Sequence, residues 1–170
     1  MPTRGAGTFL ELTLTLKYLE ELMPFKRPSL DEYNLTIARA ISLKGTCARR
    51  KVGCILINSR YKTIATGYNG VTAGAPHCID TPCPGAACKS GEGLDLCEAI
   101  HAEQNALLTC SNIFDIYICY STTAPCIHCI KLLLNTSCRI VVFDEFYPHP
   151  TAEALWKKYG GAWCHRPLKQ

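Results

Sequence analysis

The spacing of apolar and polar side chains changes period several times along this chain, and each change marks an element. Leu10, Leu12, Leu14 and Leu16 alternate with Glu11, Thr13 and Thr15 as a strand does, and Tyr18 to Leu22 read as helix before Pro24 and Pro28 interrupt. Ser29 is placed to cap a helix with Asp31 and Glu32 in its first turn. Leu35, Ala38, Ile41 and Ser42 continue one stripe, so the spacing predicts a helix over 30–43. Val52 to Asn58 and Thr63 to Tyr68 are short apolar runs joined by Ser59-Arg60-Tyr61-Lys62, which predicts a hairpin. From Asn69 to Gly93 no period survives, and Gly, Pro and Cys are frequent; so long an irregular stretch inside a compact domain is usually functional or held by metal. The pattern then predicts a helix over 98–110, a buried strand over 115–121 and a helix from 126 to about 135. A strand over 139–143, a helix over 151–159 and a last strand over 162–166 complete it. Helices alternating with strands behind an opening hairpin predict a layered α/β fold with a mixed sheet.

At 170 residues and 48% apolar composition the chain has material for one well-filled core. We read residues 1–28 as an appendage and 29–170 as the domain, with a Cys-rich insert at about 71–97. Twelve cysteines at metal-type spacings, in a chain of ordinary charge content, argue for a reducing, cytoplasmic setting rather than a secreted disulfide scaffold. The apolar stretch from Phe9 to Phe25 is broken by Glu11, Lys17, Glu20 and Glu21, so it reads as neither a membrane span nor a signal peptide. A net charge of +4 suits anionic small molecules and is too diffuse to argue for a nucleic-acid polymer as partner.

Two short motifs carry the chemistry. His101-Ala102-Glu103 and Pro125-Cys126-Ile127-His128-Cys129 supply one imidazole, two thiolates and one carboxylate that need not bind metal. A Cys2His set leaves a tetrahedral Zn2+ with one open position, which separates a catalytic zinc from a structural one. Water there is acidified toward neutrality, and Glu103 is the group placed to carry its proton. His101 and Glu103, two residues apart, do not share a helical face, so the pair belongs at a helix mouth; Cys126 and Cys129 do share one. Pro125 suits the start of a helix, whose positive end stabilises thiolates. His128 points off the shared face, toward solvent or the ligands' surroundings. Cys54, Cys110, Cys119, Cys138 and Cys164 lie in or beside apolar runs and read as core, and Trp156 and Trp163 read as packing rather than base-stacking residues.

The pairing of H-x-E with P-C-x-x-C is the signature of zinc-dependent nucleobase deaminases. From about Leu30 onward the chain resembles the cytidine deaminase superfamily, and within it the deoxycytidylate (dCMP) deaminases. The likeness runs through Arg50-Lys51-Val52-Gly53, Gly67-Tyr68-Asn69-Gly70, His101 to Ala106 and Pro125 to Cys129. The resemblance implies a three-layer α/β/α sandwich around a mixed five-stranded sheet. It also implies hydrolytic deamination of dCMP to dUMP and ammonia, supplying thymidylate synthesis, with activated water adding at C4 while Glu103 protonates N3 and then the departing amine. Asn69 matches an asparagine that contacts the sugar, Tyr147 falls where the family places an aromatic near the base, and Ala102 sits among the substrate-binding positions. Family members are activated by dCTP and inhibited by dTTP, with Mg2+ on the triphosphate and a site near the Gly67-Tyr68-Asn69-Gly70 turn; they are homo-oligomers, commonly hexamers. Arg49, Arg50 and Lys51 are then assigned to nucleotide phosphate, Arg50 on the substrate and Arg49 and Lys51 on the effector, the alternative being a solvated charged edge. Some members carry a second, structural zinc, whose ligands match Cys47, Cys78 and Cys97, with Cys83 as the fourth and Cys88 or His77 as substitutes.

Two other readings compete. A related deaminase acting on tRNA adenosine or a free base calls for a stronger basic surface or a smaller chain. A catalytically silent zinc-binding interaction module gains nothing from Glu103 beside an open coordination position.

Overall fold

The structure is a computed structural model, and it describes residues 27–89, 92–147 and 150–169. The strand and helix read over 10–22 lie outside the described residues.

Ser29 and Glu32 open the first helix, α1 (Leu30–Ser42), with reciprocal bonds: Glu32 N donates to Ser29 Oγ at 3.2 Å and Ser29 N to Glu32 Oε2 at 2.8 Å. The hairpin forms as its pattern requires, β1 (Gly53–Asn58) pairing antiparallel with β2 (Thr63–Tyr68). Its turn closes on the Asn58 carboxamide, which accepts from the backbone N–H of Arg60 and Lys62, and Tyr61 takes the left-handed conformation (φ 57°). After the irregular stretch come α2 (Ala102–Thr109), β3 (Ile116–Thr123), α3 (Ile127–Leu133), β4 (Ile140–Glu145), α4 (Pro150–Lys158) and β5 (Ala162–His165).

The five strands of the described residues make one mixed sheet in the order β2-β1-β3-β4-β5, with β1 antiparallel to both neighbours and β3, β4 and β5 parallel. Period-two alternation sends the strand residues to two faces. Ile55, Ile57, Ile118, Tyr120 and Val142 pack against Leu35 and Ala38 of α1. Cys54, Leu56, Cys119, Val141 and Phe143 meet Ala102 and Ala106 of α2, Ile130 and Leu133 of α3, and Ala152 and Trp156 of α4. Among the described residues, one helix on one face and three on the other make the expected α/β/α sandwich.

Two polar ties close the α1 side. Tyr120 Oη donates to Asp31 Oδ1 at 2.7 Å and Arg166 Nε reaches Asp31 Oδ2 at 3.2 Å. Buried Asp144 pairs with Arg39 and accepts from Leu168 N at 2.8 Å, so the C-terminal segment is fastened to the first helix.

The helix expected over 98–110 is shorter than its pattern suggested. Ile100 instead exchanges backbone hydrogen bonds with Gly70, at 2.8 and 3.1 Å, and the helix starts only at Ala102. Pairing with the turn after β2 wins over helix propensity there. At the other ends, β3 reaches Thr123 and β4 reaches Glu145, because those two residues pair and Ala124 N bonds Glu145 O at 2.8 Å. Cys110 and Cys164, expected in the core, are only half-buried, Cys110 because it terminates α2; Cys54, Cys119, Cys138 and Trp156 are buried as expected. Among the described residues no helix is long and apolar enough to cross a membrane.

Candidate active site

Both motifs sit at helix starts, at the ends of extended segments. His101 is the N-cap of α2, with extended backbone (φ −72°, ψ 157°), and its N–H donates to Gln104 Oε1 at 2.8 Å. Cys126 is the N-cap of α3 (φ −74°, ψ 171°), directly after Pro125. The extended caps turn His101 and Cys126 toward each other, while Glu103 and Cys129 enter from the first turns. Glycine sets the depth: a Cβ on Gly67 of β2 would collide with the backbone of Ala102, Asn105 and Ala106, so β2 can lie against α2 only with no side chain there.

His101 Nδ1 stands 3.3 Å from Cys126 Sγ and 3.4 Å from Cys129 Sγ, and the two sulfurs are 3.7 Å apart. Bond lengths and angles of a tetrahedral Cys2His zinc imply edges of roughly 3.5–3.8 Å, so the three atoms already stand at the spacing the metal needs. They are the one group of three or more potential ligands this close together among the described residues. His128 is exposed and outside the group.

The electrostatics suit a cation at these three atoms. The Cys129 thiol donates to Cys126 and His101 adds to it, which brings Cys126 down to about 3 against the cost of burial. Cys129, losing that competition, is pushed up, and His101 is raised by its Cys126 partner. A divalent cation displaces the protons otherwise held on Cys129 and His101. Glu103 is 3% exposed, and burial raises its carboxyl above the ordinary range. Its Oε1 accepts from Ser121 Oγ at 3.2 Å, and its Oε2 lies 3.4 Å from Cys129 Sγ, on the ligand side.

A cavity of about 330 Å³ opens onto these groups, lined also by Arg49, Arg50, Asn69, Ala102, Thr123 and Tyr147. Arg50 is aimed into it by three contacts: Thr123 Oγ1 at 3.5 Å, Glu145 Oε2 at 3.6 Å, and the Tyr147 ring at 5.8 Å from the guanidinium. Asn69 spends its amide on the chain itself, accepting from Val52 N at 2.8 Å and donating to Arg50 O at 2.7 Å.

Comparison with known proteins agrees with this geometry. Residues 28–145 match the family model described as the cytidine and deoxycytidylate deaminase zinc-binding region. The chain belongs to that deaminase family. A deoxycytidylate deaminase of Schizosaccharomyces pombe is 36% identical over 125 residues, covering 71% of this chain, and the chain spans only 38% of that protein's length. The deoxycytidylate deaminase of Mycobacterium phage D29 is 39% identical over 126 residues, covering 70% of this chain and 97% of the phage protein. Among solved structures, the dCMP deaminase of cyanophage S-TIM5 in complex with dCMP and dUMP shares the fold, with a TM-score of 0.66 at 23% identity over 83% of this chain and 99% of its own.

Within the deaminase fold the Gly67-Tyr68-Asn69-Gly70 turn acts as a bracket: Gly67 seats α2, the Tyr68 carbonyl accepts from Asn105 Nδ2 at 2.7 Å, and Gly70 pairs with Ile100. The basic cluster divides. Arg49 donates to the carbonyl oxygens of Lys89 and Glu92, the latter at 3.0 Å, clamping the Cys-rich insert against the cavity; Arg50 faces the cavity and Lys51 faces solvent. Cys47, Cys78, Cys83 and Cys97 do come together. Cys78 Sγ is 3.5 Å from Cys83 Sγ, and burial, with Cys47 and Cys83 as neighbours, raises the Cys97 thiol. They form a string more open than the His101 group, and no three of their sulfurs are mutually within 4.8 Å. Cys88 lines the cavity and His77 is exposed. Sequence reasoning missed Ser121, Thr123 and Glu145, because a hydroxyl inside an apolar strand or an acid at a strand end carries no motif.

Proposed function

We propose that this chain hydrolytically deaminates dCMP to dUMP and ammonia, with zinc held by His101, Cys126 and Cys129. The observation that carries the reading is one buried carboxylate, not needed as a ligand, facing a cavity beside three ligand atoms at metal spacing. Zinc bound there supplies water of lowered pKa as the nucleophile. Glu103 would take up that water's proton and pass it to ring N3 as C4 is attacked, then carry the remaining proton of the new C4 hydroxyl to the departing amine; a carboxyl raised by burial suits a group that must both accept and release protons. Arg50 binds the 5′-phosphate, and Tyr147, held under Arg50, borders the base. Asn69 fixes the strand entrance with one Nδ2 hydrogen and keeps the other for the sugar.

Resemblance supports three extensions. Mg-dCTP activates and dTTP inhibits, at a site including the exposed Lys51 and Tyr68 beside the bracket turn. The chain assembles as a homo-oligomer, a hexamer by family likeness. A second zinc would be held by Cys47, Cys78, Cys83 and Cys97 and would order the insert at about 71–97 of the domain spanning 29–170.

The test is ammonia release by zinc-loaded protein from dCMP, deoxycytidine, dCTP and a tRNA anticodon stem, each with and without Mg-dCTP. Turnover of dCMP that disappears in Glu103→Ala while zinc is retained is the expected result. Activity confined to another substrate overturns the substrate assignment, and silence on all four with zinc bound overturns catalysis.

A further inference from the structure

Ser121 is a buried polar side chain that the reaction scheme leaves without a task. It is fully buried on the α2 side of β3, in the sheet face formed by Cys54, Cys119 and Phe143. A hydroxyl in such a place is costly unless it is bonded. Its side-chain bond is the one to Glu103 Oε1, at 3.2 Å. Glu103 Oε2, by contrast, lies beside the sulfur of Cys129. Once Cys129 is a metal thiolate it has no proton to donate, and among the described residues Ser121 then stands as the side-chain donor to the carboxylate.

We propose that Ser121 is a positioning residue for Glu103. By occupying Oε1 it locks the carboxylate rotamer, so that Oε2 faces the ligand cluster and the substrate ring. The bond crosses from β3, in the centre of the sheet, to the first turn of α2, and a group built on a strand and a helix is held more tightly than one on a loop. Removing an outer hydrogen-bond partner of a metal-site group commonly costs 10–100-fold in activity. The inference rests on the deaminase reading, and wild-type turnover of dCMP tests that reading separately.

The experiment compares Ser121→Ala, Ser121→Cys and Ser121→Thr with the wild type for kcat, KM, zinc content and Tm. It also measures affinity for dUMP and for a 2-pyrimidinone deoxynucleoside monophosphate, which lacks the amine and binds as its C4 hydrate. The expected result is a kcat lowered about 10–100-fold in Ser121→Ala with KM and zinc content kept. Hydrate affinity should fall by a similar factor and dUMP affinity should stay. Ser121→Cys, isosteric with a weak donor, should fall between alanine and wild type, and it is the variant to read if the alanine protein fails to accumulate. Ser121→Thr should restore most of kcat. A lower Tm with unchanged kcat and unchanged hydrate affinity, or loss of zinc in step with kcat, would show a structural role and overturn the proposal.

Discussion

Gly67→Ala tests how the fold sets the depth of the metal site. An added Cβ lies 2.9 Å from the Asn105 carbonyl carbon and closer still to Ala102 O and Ala106 N, whereas ordinary contact begins at 3.4 Å. All three atoms belong to the backbone of α2, so no side chain can swing aside to relieve them. The helix itself must retreat, by more than the roughly 0.5 Å within which a catalytic group has to be held. Overpacking of this kind costs about 1–3 kcal/mol. Because His101 and Glu103 ride on the displaced element while Cys126 and Cys129 ride on α3, the ligand set should open and zinc affinity should fall together with stability. Urea unfolding of the metal-free protein gives the first quantity and competition with a chromogenic chelator gives the second. Thr66→Ala, an exposed change one residue away, is the control and should stay within about 0.5 kcal/mol. A Gly67→Ala protein of wild-type stability and zinc affinity would refute the bracket.

Arg50→Ala should raise KM for dCMP about 10–100-fold, the worth of a hydrogen bond to a charged group, and leave kcat/KM for deoxycytidine nearly unchanged; an equal loss on both substrates would place Arg50 elsewhere. Tyr120→Phe should destabilise by about 1.5–3 kcal/mol near neutrality through loss of the Asp31 bond. Burial, then Asp31, raises the Tyr120 phenol, so its contribution is full below the unfolded tyrosine pKa and fades as pH climbs past about 10; the gap between variant and wild type in alkaline urea melts should narrow in that direction. Cys83→Ser should lower zinc from two ions per chain to one with dCMP turnover reduced but present, read by metal analysis of dialysed protein, whereas unchanged stoichiometry would remove the second site.

The two ligand motifs were legible because each confines its ligands to a few residues at the start of a helix, and local spacing is what a sequence displays. The sheet was legible because its strands alternate or run apolar between clear turns. What the sequence hid was set by contacts distant along the chain. The pairing of Ile100 with Gly70 cuts back a helix whose own pattern continues upstream. Arg49 and Arg50 look equivalent in sequence, yet one is taken up by carbonyls of the insert and the other by Glu145 and Thr123. Ser121 lies in a run that reads as core, and only the approach of α2 gives its hydroxyl a partner.

The ties across the α1 face have a consequence for how the chain acquires its structure. Asp31 meets Arg166 across 135 residues of sequence, and the cluster under α1 includes Val142 and is flanked by Cys164 and Leu168. During synthesis from the N-terminus, the apolar stripe of α1 therefore has no complete surface to cover until β4 and β5 have emerged. Contacts so far apart carry a large closure entropy and form late. Until then the nascent segment exposes Leu35 and Ala38 beside a growing sheet edge, which makes this layer a point of aggregation risk and a place where chaperone contact should concentrate.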